Sequence, residues 1–323
     1  MTQRGGTSRI YTAFVRWFDA EAGGGDPADA VRKNVDWPRI IPLIFLHLGC
    51  LAVFWVGWSW TAVSVSLALY LIRMFAITGF YHRYFSHKAF RTGRVWQFVF
   101  AVMGNAAVQR GPLWWAAHHR HHHRYTDLEQ DVHSPIRHGF WWSHIGWMTS
   151  QANFPTRMSY VKDWAKYPEL RWLNRFDTVV PILLAASLFA VGELLDHFAP
   201  NLETSGWQLV VWGFFISTTV LLHATVTINS FDHMFGTRRF NTPDTSRNNA
   251  LLSILTLGEG WHNNHHYYAV AARQGFYWWE IDVTYYALVL MAWLGIVRDL
   301  RPVPPQVLDS GHPKAFKTSA GGI

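Results

Sequence analysis

The chain has 323 residues, half of them hydrophobic and only 15% charged, against about 25% charged in soluble proteins. Nineteen Trp, a net charge of +7 and an isoelectric point near 9.6 suit a protein that meets anionic lipid headgroups at a membrane interface; no nucleic-acid motif accompanies the charge, which excludes nucleic acid as a partner. The single cysteine, Cys50, lies in an apolar run and excludes both a disulfide framework and a thiolate metal site.

Residues 1–37 read as a polar leader, loosely ordered. Arg4, Arg9 and Arg16 precede any apolar run, so no signal peptide is expected. Apolar stretches at about 40–58 and 61–80 each approach the ~20 residues that cross a hydrocarbon core. The short turn between them makes a hairpin. Two more spans are expected at about 178–196 and 207–228. The run 96–108 is too short to cross and is expected to be interfacial or re-entrant. The run 281–297 reads as an amphipathic helix on the membrane surface, and 301–323 as a flexible tail. The loop 192–206 carries Glu193, Asp196 and Glu203 but no Lys or Arg. The leader, the segment 83–175 and the tail are rich in both, so the positive-inside rule places all three in the cytoplasm. The expected fold is an all-α integral membrane protein, with four transmembrane helices and a cytoplasmic helical cap on the domain 38–300.

Three histidine clusters fall on that one side: His82 and His87 at the end of the second span, His119 to His123, and His262 to His266. Within the last two, His119, His122 and His123 repeat the spacing of His262, His265 and His266, and i, i+3 and i+4 share a helical face. Imidazole binds transition metals, and this many rings suggests more than one ion. A spacing of five between His82 and His87 suits a helix end whose last turn relaxes to aim both rings at one ion. His118 and His121 would point off the shared face, as outer or incidental groups. His47 and His223, alone inside spans, read as packing or polar contacts.

The HxxxxH, HxxHH and HxxHH pattern resembles the membrane fatty acid desaturases of the stearoyl-CoA (acyl-CoA delta-9) type, in a bacterial form. So do Gly258-Glu259-Gly260-Trp261, Asn229 with His233, Asp131-Val132-His133-Ser134-Pro135, Arg247-Asn248-Asn249, and the stretch from Arg273 to Glu280. The likeness covers roughly residues 40–300. It implies a non-haem centre of two iron ions. One would be held by His82, His87, His123 and His266, with Asn229 reaching it through a water; the other by His119, His122, His233, His262 and His265. Glu259, Asp127, Asp131 and Asp232 are candidates to orient the ligating rings. The implied reaction is O2-dependent desaturation of a saturated acyl chain, carried on CoA or on a membrane lipid, to a cis alkene. Electrons would come from a separate protein such as a ferredoxin, since the chain carries no haem, flavin or iron–sulfur pattern of its own. Ala117 and His118 stand where animal acyl-CoA members carry Arg and Asp, which leaves the acyl carrier open; Asn264 stands where many relatives carry an aromatic.

Two other readings compete. A histidine-rich diiron membrane hydroxylase would use the same metals to insert oxygen. A metal-binding or metal-transporting membrane protein would place its ligands at mid-membrane depth, whereas these clusters lie beyond the span ends.

Overall fold

Four helical segments are long and apolar enough to cross a bilayer: Trp37–Val56, Trp60–Ser86, Val179–Phe198 and Pro200–His233. They appear in a computed structural model that describes residues 5–22 and 34–311. Before them, α1 (Gly5–Phe18) occupies part of the leader, so that part is helical rather than loose; residues 1–4 and 23–33 of the leader lie outside the described residues. Trp17 Nε1 donates to the Pro38 carbonyl (2.6 Å) and Arg175 clasps Asp19 (2.7 Å), which ties this helix to both membrane and cap elements.

The first span starts as α2 (Trp37–Gly49), with Pro38 in its first turn, where a missing N–H costs nothing. It ends at Gly57, whose φ of +65° favours glycine. The Ser59 hydroxyl then accepts from Ala62 N and caps α3 (Trp60–Phe75). α3 passes without a break into a π-helix, Ala76–Ser86. The whole segment has 27 residues, about 40 Å at ~1.5 Å per residue, against a hydrocarbon core of about 30 Å. Its last turns, with His82, therefore stand clear of the core.

α4 (Arg94–Asn105) and α5 (Pro112–Tyr125) pack on that projecting end, where the Phe80 and Phe100 rings stack at 3.8 Å. α4 is too short to cross and exposes Val95, Trp96 and Phe98, in keeping with an interfacial position. α6 (Pro168–Arg175) leads into the third span, α7 (Val179–Phe198). The fourth span, α8, runs from Gly206–Leu209 through a second π segment, Val210–Ile216, to Ser217–Ser230. Gly192 of α7 approaches Gly206 so closely that a Cβ there would lie 2.5 Å from the Gly206 Cα.

Ser59 donates to Gln208 (2.7 Å), so α3 and α8 start at the same end of the bundle. They must finish together at the other, which brings His82 and His233 to one side. Phe54, Trp55, Trp58, Trp60, Phe198 and Trp207 are exposed around the starting end, as an aromatic interfacial belt requires.

The chain then adds α9 (Ala250–Leu255), α10 (His262–Tyr267), α11 (Val283–Trp293) and α12 (Pro305–Ser310). A two-residue antiparallel pair, Arg91–Thr92 with Val297–Arg298, closes the cap. Two expectations need correction. α11 is eleven residues without a charge, apolar on all sides rather than amphipathic. The first part of the tail, 301–311, is held in place, with Tyr277 donating to the Leu308 carbonyl (2.7 Å); the rest of the tail, 312–323, lies outside the described residues.

Candidate metal centre

The π-helix decides how the first cluster works. Its i→i+5 pattern closes with His87 N donating to the His82 carbonyl (3.2 Å), so residues five apart are stacked by the backbone itself. A relaxed helix end was expected at this spacing; the relaxation extends over eleven residues. α5 and α10 present the other two clusters, opposed across the same space.

The rings gather into two groups, each with ligand atoms within 4.8 Å of one another. One holds His82, His87, His119, His123 and His265; the other holds His122, His233, His262 and His266. In the first, Nε2 atoms approach pairwise: His82–His265 at 3.1 Å, His265–His123 at 2.8 Å and His87–His119 at 2.8 Å. In the second, His233 and His262 approach at 3.1 Å. The buried Nε2 of His266 has no hydrogen-bond partner. So many imidazole nitrogens turned on one another suit cations that all can ligate at once.

All ten residues expected as ligands fall around these groups, but the division implied by the resemblance does not match the geometry. His119 and His265 stand with His82, His87 and His123, and His266 stands with His122, His233 and His262. The helix explains it. At 3.6 residues per turn, a residue four along lies about 40° around the axis and one three along about 60° the other way. His119 therefore pairs with His123, and His262 with His266, while the middle histidine of each cluster faces the other group. Asn229 lines both cavities beside His119.

Carboxylates hold the outer ring nitrogens. His82 Nδ1 contacts Glu259, His122 Nδ1 donates to Asp131 (3.1 Å), and His233 Nδ1 lies 3.7 Å from Asp127 and 3.3 Å from Thr245 Oγ1. Each such contact fixes the tautomer that turns Nε2 inward. Asp232, expected to orient a ring, does not: it neighbours His233 in sequence, but its buried oxygens have no hydrogen-bond partner among the described residues. The residue that sequence reasoning missed is Asp244, which accepts from His266 Nδ1 (3.0 Å). It comes from the irregular segment after α8, where no periodic pattern could flag it.

Behind His82 lies a fully buried Arg83. It bonds Glu259 (3.0 Å), Asp282 (2.9 Å) and the Ala272 carbonyl (2.8 Å), joining the first histidine cluster to the last. His118 and His121 belong to neither group. His118 packs between Trp114 and Trp147, and His121 between Tyr125 and Tyr160. His47 and His223 hydrogen-bond each other (3.0 Å) away from the centre.

Burial, with the neighbouring imidazoles, holds His87, His119, His123, His262 and His265 well below the usual histidine range. Burial takes His266 down to about 4, against the pull of Asp244. His122 goes the other way: burial would lower it, but Asp131 raises it. Burial would raise Asp131, Asp127 and Asp244, but the histidines beside them hold all three low. Neutral rings are what a metal requires.

For the metal-free protein the sign follows. Most folded-state pKa values lie below the unfolded 6.5, so the unfolded chain binds more protons in acid. Stability is full above pH 6.5 and falls as pH drops through 6.5 toward about 4. The melting temperature of metal-stripped protein should fall between about pH 7 and about pH 5; an unchanged melting temperature over that window contradicts the assignment. Asp244→Asn should weaken metal retention about 10–100-fold, measured by competition with a chelator, while leaving the fold intact; retention equal to wild type would remove Asp244 from this role.

Two cavities meet at the centre, sharing Trp115, His119, Thr225 and Asn229. The larger holds about 240 Å3, many times the ~10–15 Å3 that a single water needs. Leu43, Leu46, Pro181, Leu222 and Val226 make much of its wall. The smaller ends against Met74, Ile77 and Thr78. The pair suits a long, thin apolar molecule passing beside the histidines.

A family model described as fatty acid desaturase matches residues 40–296. The chain is 34% identical over 280 residues to an sn-1 stearoyl-lipid 9-desaturase of Anabaena variabilis, covering 85% of this chain and 97% of that protein. It is 35% identical over 294 residues to an acyl-CoA C20 delta5-desaturase of Anemone leveillei, covering 87% and 89%. It is also 35% identical over 274 residues to a chloroplastic palmitoyl-monogalactosyldiacylglycerol delta-7 desaturase of Arabidopsis thaliana, covering 83% and 70%.

Proposed function

Because the chain belongs to the fatty acid desaturase family, and is thereby a membrane oxidoreductase acting on fatty acyl chains, we propose that it introduces a cis double bond at the ninth carbon of a saturated chain, at a centre of two iron ions. The observation that carries this reading is the pair of histidine groups set beside two adjoining, mostly apolar cavities.

Iron, when bound, supplies the activation of O2 and the removal of two hydrogens from unactivated methylenes. His82, His87, His119, His123 and His265 would hold one ion, and His122, His233, His262 and His266 the other, with Asn229 placed to reach one of them through a water. The protein's own contribution is position and dryness. Glu259, Asp131, Asp127 and Asp244 keep the rings in one tautomer. Trp115 stacks on His119 at 5.1 Å and forms part of the wall of both cavities, shielding the reacting carbons from water. The acyl chain lies along the larger cavity and passes the histidines into the smaller one, with its methyl end toward Met74.

The balance is one acyl chain, one O2, two electrons and two protons to one alkene and two waters. The electrons come from a separate carrier, a ferredoxin or a similar acidic protein drawn to the basic face. The cap faces the cytoplasm of a bacterial inner membrane; the lack of Lys and Arg in the loop 192–206 at the opposite end supports that orientation. The relatives acting at the ninth carbon support the bond position.

Gas chromatography–mass spectrometry of lipids from cells expressing the chain tests the reaction. A new monoenoic acid, lighter than its parent by two hydrogens, with derivative fragments marking the ninth carbon, is expected. A hydroxy acid, heavier by one oxygen, would move the assignment to the hydroxylase.

A further inference from the structure

The larger cavity has a second end, away from the histidines. Arg16 and Trp17 of α1, Ala20 just after it and Arg39 of α2 line it, together with Arg110 and Asp177. The guanidinium groups of Arg39 and Arg110 lie 4.7 and 5.3 Å from the same ring, Phe154. Like charges gathered this way repel unless an anion joins them. Arg110 is balanced by Asp177 (2.7 Å), and Arg16 lies 4.0 Å from Asp36. Arg39 donates to the Ala22 carbonyl (3.1 Å), but among the described residues it has no carboxylate, and its buried Nε has no partner. Among the described residues, the mouth of an apolar cavity thus carries one cation without a carboxylate partner, Arg39, which fits one anionic group.

The surroundings choose what brings that anion. Arg39 is the third residue of the first span, and the neighbouring Trp37 is 67% exposed, so the mouth lies at the level of the membrane interface. α1 crosses beside it and exposes Tyr11, Phe14 and Phe18. An aromatic ridge next to an opening suits hydrocarbon rather than water.

We propose that this mouth takes a phosphate-bearing membrane lipid. The phosphate binds at Arg39, α1 lies in the interface as a sill, and the acyl chain enters sideways from the bilayer while still esterified. Coenzyme A, with several phosphate charges and a route through water, matches one such cation poorly. The relatives include both lipid and CoA enzymes and do not decide the carrier. The proposal rests on the desaturase reading.

Its test follows intact phospholipids. Cells expressing the chain are labelled with a saturated fatty acid, new acyl-thioester formation is then blocked, and phospholipids are followed by mass spectrometry. Saturated phospholipids made before the block are expected to go on converting to monoenes. Arg39→Gln should slow this about tenfold, the scale of one charge-assisted hydrogen bond, with unchanged metal content and less phospholipid phosphorus retained on purification. Should Arg39→Gln fail to accumulate, Phe14→Glu, on the exposed face of α1, should slow the same conversion. Conversion that stops with the block, with new double bonds first in thioesters, overturns the lipid carrier and leaves desaturation standing. Unslowed conversion in both variants overturns the site. Absence of any monoene before the block sinks the desaturase reading itself.

Discussion

His265→Ala and His262→Ala should each abolish monoene formation, and each should leave about half the metal in place. The two residues are three apart on α10 yet serve different groups: His265 faces His82 and His123, and His262 faces His233. Loss of a ring that merely orients a ligand costs roughly 10–100-fold, so loss of a ligand itself should exceed that and fall below detection. Lipid analysis reads the activity, and metal analysis of the purified variants reads the occupancy. Loss of all metal in both variants would mean one shared site rather than two groups. Full activity in either would remove that residue from the centre.

Arg83→Met should be the most damaging substitution outside the ligands. Arg83 is 1% exposed and lies between Glu259 and Asp282, themselves buried. Removing the cation strands two carboxylates where water cannot reach them, and breaking such a buried pair costs about 3–5 kcal/mol. Glu259 would also lose the charge that holds it against His82. The expected result is a much lower melting temperature and poor accumulation in membranes, with metal loss in whatever folds. Arg83→Lys, which keeps the charge but cannot reach both carboxylates, should fall between the two. A melting temperature within error of wild type for Arg83→Met would show that the network contributes little.

How far the sequence carried this picture depends on how local each signal is. Span positions and the side shared by the clusters follow from apolar length and from the absence of Lys and Arg in 192–206. The histidines that gather at the centre were legible because HxxHH is a pattern within single helices. The division of ligands was not: it depends on whether i+3 or i+4 turns toward a given ion, and on which ring of α10 meets which ring of α5. His82 and His87 pointed to an unusual helix end, but a π-helix of this length is stabilised by packing against α4 and α5, and their contacts are distant in sequence. Asp244 and Arg83 escaped for the same reason. Each acts through a partner from another part of the chain, His266 for the first and Asp282 for the second. Asp232 misled because neighbouring residues in a tight turn point to different sides.

If the two imidazole groups hold two redox ions, both ions must be present in active protein. Metal content and activity of one preparation test it most directly: the protein purified from cells grown with iron, its iron and zinc counted per chain, and the same sample assayed for acyl desaturation with a supplied reductant. Two irons per chain in active protein, with activity lost when zinc replaces them, is the result expected. Active protein holding a single ion per chain, or a single exchangeable zinc with no acyl product, would contradict it.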